Sequence, residues 1–127
     1  MRDPLIKTLR IEAIGAISSQ TSSEEAFQNK TLRPILKFQN DLFIASFKNY
    51  ISAHKNTFYT YSTDQKIAFI EKALQRDTQY NNVLKGMVIG LFTIEEFQEY
   101  QVNASNLNKR IINMIAERLK SQLQVLK

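Results

Sequence analysis

Apolar residues recur at three- and four-residue spacings along almost the whole chain, and the two-residue alternation of a strand is absent over any useful length. Leu5, Leu9, Ala13 and Ile17 fall on one face of a first predicted helix, over about residues 4–17, with Ile6 and Ile14 beside them. Asp3 ahead of Pro4 reads as an N-cap followed by proline at the first helical position, where its missing N–H costs nothing. Gln20, Thr21 and Ser22 make a polar connector. Ser22 and Glu25 then have the spacing of a capping box. Behind them Phe27, Ile35, Phe38, Leu42, Ala45 and Ile51 mark one face of a long helix reaching about His54, flanked by Leu32, Phe43 and Phe47.

Lys55 to Tyr61 reads as a loop carrying three aromatics, Phe58, Tyr59 and Tyr61. Ser62 and Gln65 repeat the capping spacing and open a helix over about 64–75 with Ile67, Ile70 and Leu74. Asp77 or Thr78 caps the next, over about 79–91, with Val83, Leu84, Met87, Val88 and Leu91 inward. Gly86 and Gly90, one turn apart, offer room for a close helix neighbour. Thr93 and Glu96 form a further capping box. Ile94, Phe97, Ala104, Leu107, Ile111, Met114, Ile115, Arg118 and Leu119 follow at helical spacing, with no proline or glycine from Thr93 to Lys127. The polar stretch Asn103 to Asn108 is where that helix would bend or break.

The expectation is an all-α, single-domain bundle of five or six helices spanning 1–127. Two long helices form its spine: about 23–54, kinked at Pro34, and about 93–126. Residues 1–21, the first helix and its connector, are peripheral in this reading.

Phe27-Gln28-Asn29 recurs as Phe38-Gln39-Asn40, eleven residues on, and eleven residues are three turns of an α-helix. The two copies would share one face, with both phenylalanines in the core. Pro34 lies between them. A proline inside a helix removes a hydrogen bond, here from the Lys30 carbonyl, costs about 3 kcal/mol and pushes the preceding residue, Arg33, out of helical dihedrals. The plain account is a kink that wraps the helix around the core. The functional account is a polar site of Gln28, Lys30, Arg33, Lys37, Gln39 and Asn40, with Asn29 beside them.

Composition narrows the chemistry. The 127 residues suit one domain, and 43% hydrophobic with 23% charged residues is ordinary for a soluble globular protein. Three glycines and two prolines argue against a turn-rich β fold. The chain has no cysteine, which removes disulfides, zinc–thiolate sites and thiol catalysis and suits a reducing cytoplasm. No apolar stretch reaches membrane-spanning length, and Glu12 interrupts what would be the apolar region of a signal peptide. A net charge of +5 permits an acidic partner, although the basic residues are scattered.

With a single histidine, His54, and no Glu-x-x-His pair, no metal site is expected. No P-loop or dinucleotide fingerprint occurs, so no cofactor is expected either. Glu95 and Glu96 are accounted for as first-turn residues favoured by the helix dipole. An enzymatic site would need Arg33, His54 and a carboxylate in one pocket. A nucleic-acid reading rests on the helices at 64–75 and 79–91 as a helix-turn-helix presenting Tyr80, Asn81, Asn82 and Lys85, a thinly charged face. A basic stripe of Lys30, Arg33 and Lys37 is offset by Asp41. Tyr59 and Tyr61 are candidate partner contacts in their loop.

The stretch from Phe27 to Leu42, together with Leu84-Lys85-Gly86 through Gly90-Leu91-Phe92-Thr93, resembles a group of small bacterial helical proteins, some of which carry a glyoxalase-related label by transfer. The likeness covers most of residues 23–120, and neither motif is tied to a chemistry. Glyoxalase I has a βαβββ fold with His and Glu metal ligands, so no catalytic residue carries over to this chain. The expected role is therefore non-enzymatic, as a structural or protein-interaction module that self-associates, with nucleic-acid binding and a ligand site around Arg33 as alternatives.

Overall fold

The chain runs helical from Ser23 to Ala53, but its pitch changes on the way. In the computed structural model, which describes residues 1–10 and 23–127, the α-helices are α1 (Arg2–Arg10), α2 (Ser23–Phe27), α3 (Arg33–Phe38), α4 (Asn40–Ala53), α5 (Thr63–Arg76), α6 (Thr78–Ile89), α7 (Ile94–Val102) and α8 (Ala104–Lys120). A π-helical turn, Gln28–Leu32, joins α2 to α3, and short 3-10 turns lie at Thr57–Thr60 and Leu123–Val125. Among the described residues there is no strand, so the protein is an all-α bundle, and no helix is long and apolar enough to cross a membrane. The outer half of the first predicted helix, the 20–22 connector and the Ser22 cap lie outside the described residues.

The π turn corrects the expectation for Arg33. Its dihedrals stay helical, φ −59° and ψ −47°, and its N–H bonds the Gln28 carbonyl, five residues back. A π turn is wider than an α turn, and it takes up the register change just before Pro34, at the second position of α3. The pyrrolidine ring then meets a displaced carbonyl rather than a clash, and no break is needed.

The same turn explains why the two Phe-Gln-Asn copies do not share a face. Phe27 is buried, 5% exposed, whereas Phe38 is 45% exposed. One residue taken into a wider turn rotates everything downstream by up to about 100°. A second irregularity at Gln39, φ −89° and ψ 3°, separates α3 from α4. The buried face accordingly passes through Leu32, Ile35 and Leu36 to Phe43, Phe47 and Ile51, leaving Leu42 and Ala45 exposed.

α8 is the central element. Its buried residues Leu107, Ile111, Ile112, Ile115, Ala116 and Leu119 recur every three or four positions, and it packs against α4, α5, α6 and α7. The long helix expected over 93–126 is broken at Asn103, φ −139° and ψ 41°, and α8 ends at Lys120. Ile94 and Phe97 of α7 turn outward, and so does Val83 of α6. The capping signals hold: Ser62 with Gln65 and Thr93 with Glu96 close reciprocal boxes, and the Asp77 carboxylate accepts from Tyr80 N–H. Among the described residues a Cβ added at Gly86 would meet nothing within 4 Å and one at Gly90 would meet the Gly86 carbonyl, so no helix packs closely against either.

α1 docks by polar contacts, against the apolar face expected. Leu5 and Leu9 are 60% and 53% exposed, while Ile6 and Arg10 are buried. Arg10 forks onto Glu96 at 2.6 and 2.9 Å, and Thr31 Oγ1 and Thr93 N–H also donate to that carboxylate, at 3.0 and 2.8 Å. Asp3 caps α7 rather than α1, accepting from Ile94 N–H at 3.0 Å, and Arg2 donates to the carbonyls of Gly90 and Phe92 at 2.7 Å each. These bonds fix the rotation of α1 with Arg10 inward. Burial pushes the Glu96 carboxyl up, but Arg10, Thr93 and Thr31 outweigh it and hold the group below the usual carboxylate range.

Two stability predictions follow from this packing. Phe27→Ala should cost about 3–5 kcal/mol and Phe38→Ala less than about 0.5 kcal/mol in urea unfolding; equal losses would contradict the phase change across the π turn. Glu96→Gln, which strands Arg10, should cost about 3–5 kcal/mol at neutral pH. Because the folded value is depressed, that stabilisation is present above the unfolded carboxyl pKa of about 4.3 and is lost as the pH falls through the folded value. Wild type and variant should therefore converge in acid, and a pH-independent gap would refute the linkage.

Candidate functional site

Gln28 in the π turn and Asn40 at the start of α4, twelve residues apart on either side of α3, tie that wall to α8 and the residues just after it at two places. At one end Arg110 donates to the Gln28 side-chain oxygen and, at 3.3 Å, to Glu24, while Asn103 donates to the other Glu24 oxygen. At the other end Asn40 and Gln122 exchange amide hydrogen bonds at 2.9 and 2.7 Å, and Arg118 reaches Asn40 Oδ1 at 3.4 Å. The two walls therefore run in the same direction. Between the ties opens a groove of about 1310 Å³, with Leu36 and Met114 as its apolar lining.

The groove carries five cations, Arg33, Lys37, Lys109, Arg110 and Arg118, against two carboxylates, Glu24 and Glu117. Glu24 is engaged by Arg110 and Asn103, and Glu117 by Lys120 at 3.2 Å. Arg118 is half-buried, among the described residues its side chain has an amide oxygen as its one hydrogen-bond partner, and burial lowers its pKa. A guanidinium so placed has lost hydration without gaining a counter-charge. Arg33, Lys37 and Lys109 are exposed, and among the described residues they make no ion pair or side-chain hydrogen bond.

Of the residues singled out from sequence, Gln28, Asn29, Arg33 and Lys37 line this groove and Asn40 closes its end. Lys30 and Gln39 do not belong to it. Lys30 is exposed outside the lining, and Gln39 points to α6, donating to the Met87 carbonyl at 2.9 Å. The π turn and the irregularity at Gln39 rotate these two away. The cations contributed by α8 were missed. Their signal was Arg118 on an otherwise apolar face, together with the three- and four-residue spacing of Asn106, Lys109, Arg110 and Asn113.

A smaller cleft of about 460 Å³ opens between α4 and α6, lined by Ser46, Tyr50, Asp77, Tyr80 and neighbours. Tyr50 donates to Asp77 Oδ2 at 3.0 Å, Tyr80 and Ser46 share a hydrogen bond at 3.1 Å, and the Tyr50 and Tyr80 rings stack at 4.4 Å. His54 stacks on the other side of Tyr50 at 4.1 Å. Burial, and then Asp77, push the Tyr50 hydroxyl up to about 12; burial, with a further push from Asp77, does the same to Tyr80. Asp77 is held low by the Tyr80 N–H and the Tyr50 hydroxyl.

This geometry separates Arg33 from His54: one lines the groove, the other stacks against the second cleft, and the three-residue enzymatic site is not assembled. The helix-turn-helix face is depleted as well, since Tyr80 turns to Ser46 and Asn81 Nδ2 donates to the Leu74 carbonyl at 2.6 Å. In the aromatic loop Phe58 is fully buried, Tyr61 packs against Phe58 and Phe69, and Tyr59 is exposed. Among the described residues no three His, Cys, Asp or Glu side chains converge to hold a metal. Comparison with family models, with curated proteins and with solved structures gives no match to this chain.

Spectrophotometric titration of tyrosinate should show two of the five tyrosines ionising only near about 12. Asp77→Asn should shift Tyr50 downward, because it removes a negative neighbour and an acceptor that favours the protonated phenol. Ionisation of Tyr50 and Tyr80 near about 10 would contradict this arrangement.

Proposed function

We propose that the protein is a non-catalytic binding module that holds an anionic ligand in the groove between α3 and α8. The observation that carries the reading is Arg118, half-buried on the groove wall and matched by an amide oxygen instead of a carboxylate. An incoming anion would repay that desolvation with a charge-assisted, bidentate hydrogen bond. Arg33, Lys37 and Lys109 extend the same potential along the groove, so the net charge of +5 has a focus there. Residence in a reducing cytoplasm, where a cysteine-free chain is at home, belongs to the same proposal.

Self-association is a second reading with its own support. Phe38, Leu42 and Val83 are 45%, 45% and 49% exposed. The Gln39–Met87 and Ser46–Tyr80 contacts bracket Leu42 and Val83 on adjoining helices, so these side chains form one apolar patch. Sedimentation of a monomer at high protein concentration would end this reading.

Titrating isotope-labelled protein with heparin tests the first. Amide shifts should concentrate on residues 28–37 and 106–122, weaken with salt, and require on the order of tenfold more heparin in Arg118→Gln. Shifts spread evenly over the surface, or centred on another face, would refute the groove as the binding site.

A further inference from the structure

Resting on the groove being an anion-binding site, we infer that its ligand is an extended acidic peptide segment in which acidic and apolar residues alternate. The length comes first. The two ties, Gln28 with Arg110 and Asn40 with Gln122, are twelve residues apart on each wall, about 18 Å at helical rise, with Gln122 just past the end of α8. An extended chain at about 3.3 Å per residue places five or six residues between them.

The chemistry of the walls then chooses among polyanions. Of the carboxamides in the lining, those of Gln28, Asn113 and Gln122 already accept from Arg110, Gln75 and Asn40. Among the described residues Gln28 and Asn113 keep their donors, Asn106 keeps its oxygen, and Asn29 keeps both. A peptide backbone presents N–H and C=O groups in alternation and uses both halves. A phosphodiester presents only acceptors and leaves the oxygens of Asn29 and Asn106 unmatched. None of the lining residues is aromatic, so single-stranded bases have no surface on which to stack.

The spacing of charge fits the same ligand. Arg33 and Lys37 stand one turn apart on the α3 wall, about 6 Å, close to the roughly 6.6 Å between same-side residues of an extended chain. Carboxylates two residues apart meet both, and the residue between them points to the opposite side, toward Leu36 and the adaptable Met114. Glu117 disfavours an acidic side chain where it lines the α8 wall, which sets the polarity of the pattern.

The test uses the full chain and three labelled or titrated probes: a fluorescein-tagged seven-residue peptide alternating Glu with Leu, a tagged ten-nucleotide oligothymidylate, and inorganic phosphate. Binding is read by anisotropy or competition, and its location by amide shifts. The peptide should bind most tightly, with shifts at the groove. Affinity should fall at least about tenfold in Arg33→Glu/Lys37→Glu, both exposed positions that leave the core untouched. Asn29→Leu should weaken the peptide while leaving phosphate unchanged, which a purely electrostatic site would not do. Tighter groove binding of oligothymidylate, or phosphate matching the peptide, would overturn the peptide inference and leave the anion site standing. Absence of groove shifts with all three probes would overturn both.

Discussion

Pro34 obliges a thirty-residue helical run to surrender one backbone hydrogen bond in its middle, and the chain meets that demand by widening a single turn. The π segment Gln28–Leu32 lets Arg33 bond five residues back and keeps the helix going. The consequence is rotational. Downstream of the turn, Ile35 and Leu36 face the core while Arg33 and Lys37 face α8 across the groove. An uninterrupted α-helix of this sequence would put Phe38 in phase with Phe27 and bury it, and would turn the two cations elsewhere. One lost bond, of order 3 kcal/mol, thus sets both the packing of α3 and the position of one wall of the groove.

Two arginines show how differently the fold treats the same group. Arg10 is 4% exposed and meets a full carboxylate, with two further donors completing the oxygens of Glu96. Removing either partner leaves a buried charge, so this pair fixes where α1 sits. Arg118 lies on the groove wall with a single long bond to an amide oxygen. Its charge is positioned but not neutralised. The first is neutralised by its partner, although its Nε stays buried without an acceptor among the described residues, and the second keeps an unpaired charge on the groove wall.

The capping boxes, the helix class and the inner face of α8 were legible in the sequence because each depends on contacts within a turn or two. Ser62, Asp77 and Thr93 cap as their spacing predicts. What escaped was phase. A one-residue widening at Gln28–Leu32 has no local signature beyond Pro34 itself, yet it reassigns Phe38, Leu42, Lys30 and Gln39. The orientation of α1 escaped for another reason. Leu5 and Leu9 advertise an apolar face, but Arg10 pairs with Glu96 eighty-six residues away, a contact no periodicity can announce. Half of the candidate site was visible as Gln28, Arg33 and Lys37, and the half on α8 was hidden by sequence distance.

The two walls of the groove differ in regularity, and that difference bears on how it would bind. α8 is held along its inner side by Ile111, Ile115 and Leu119, all fully buried, so Arg110 and Arg118 project from the most firmly packed helix of the bundle. The facing wall is built on a π turn and a helix of six residues, with an irregular residue at Gln39 beyond it. Such a wall is less regular than α8, although Leu32, Ile35 and Leu36 anchor it in the core. In the proposed binding role Arg110 and Arg118, already held by Gln28, Glu24 and Asn40, would be preorganised for a ligand. Arg33 and Lys37 are exposed and would adjust to it by side-chain rotation. The two walls would then contribute to affinity in different ways, one by preorganisation and the other by adaptation.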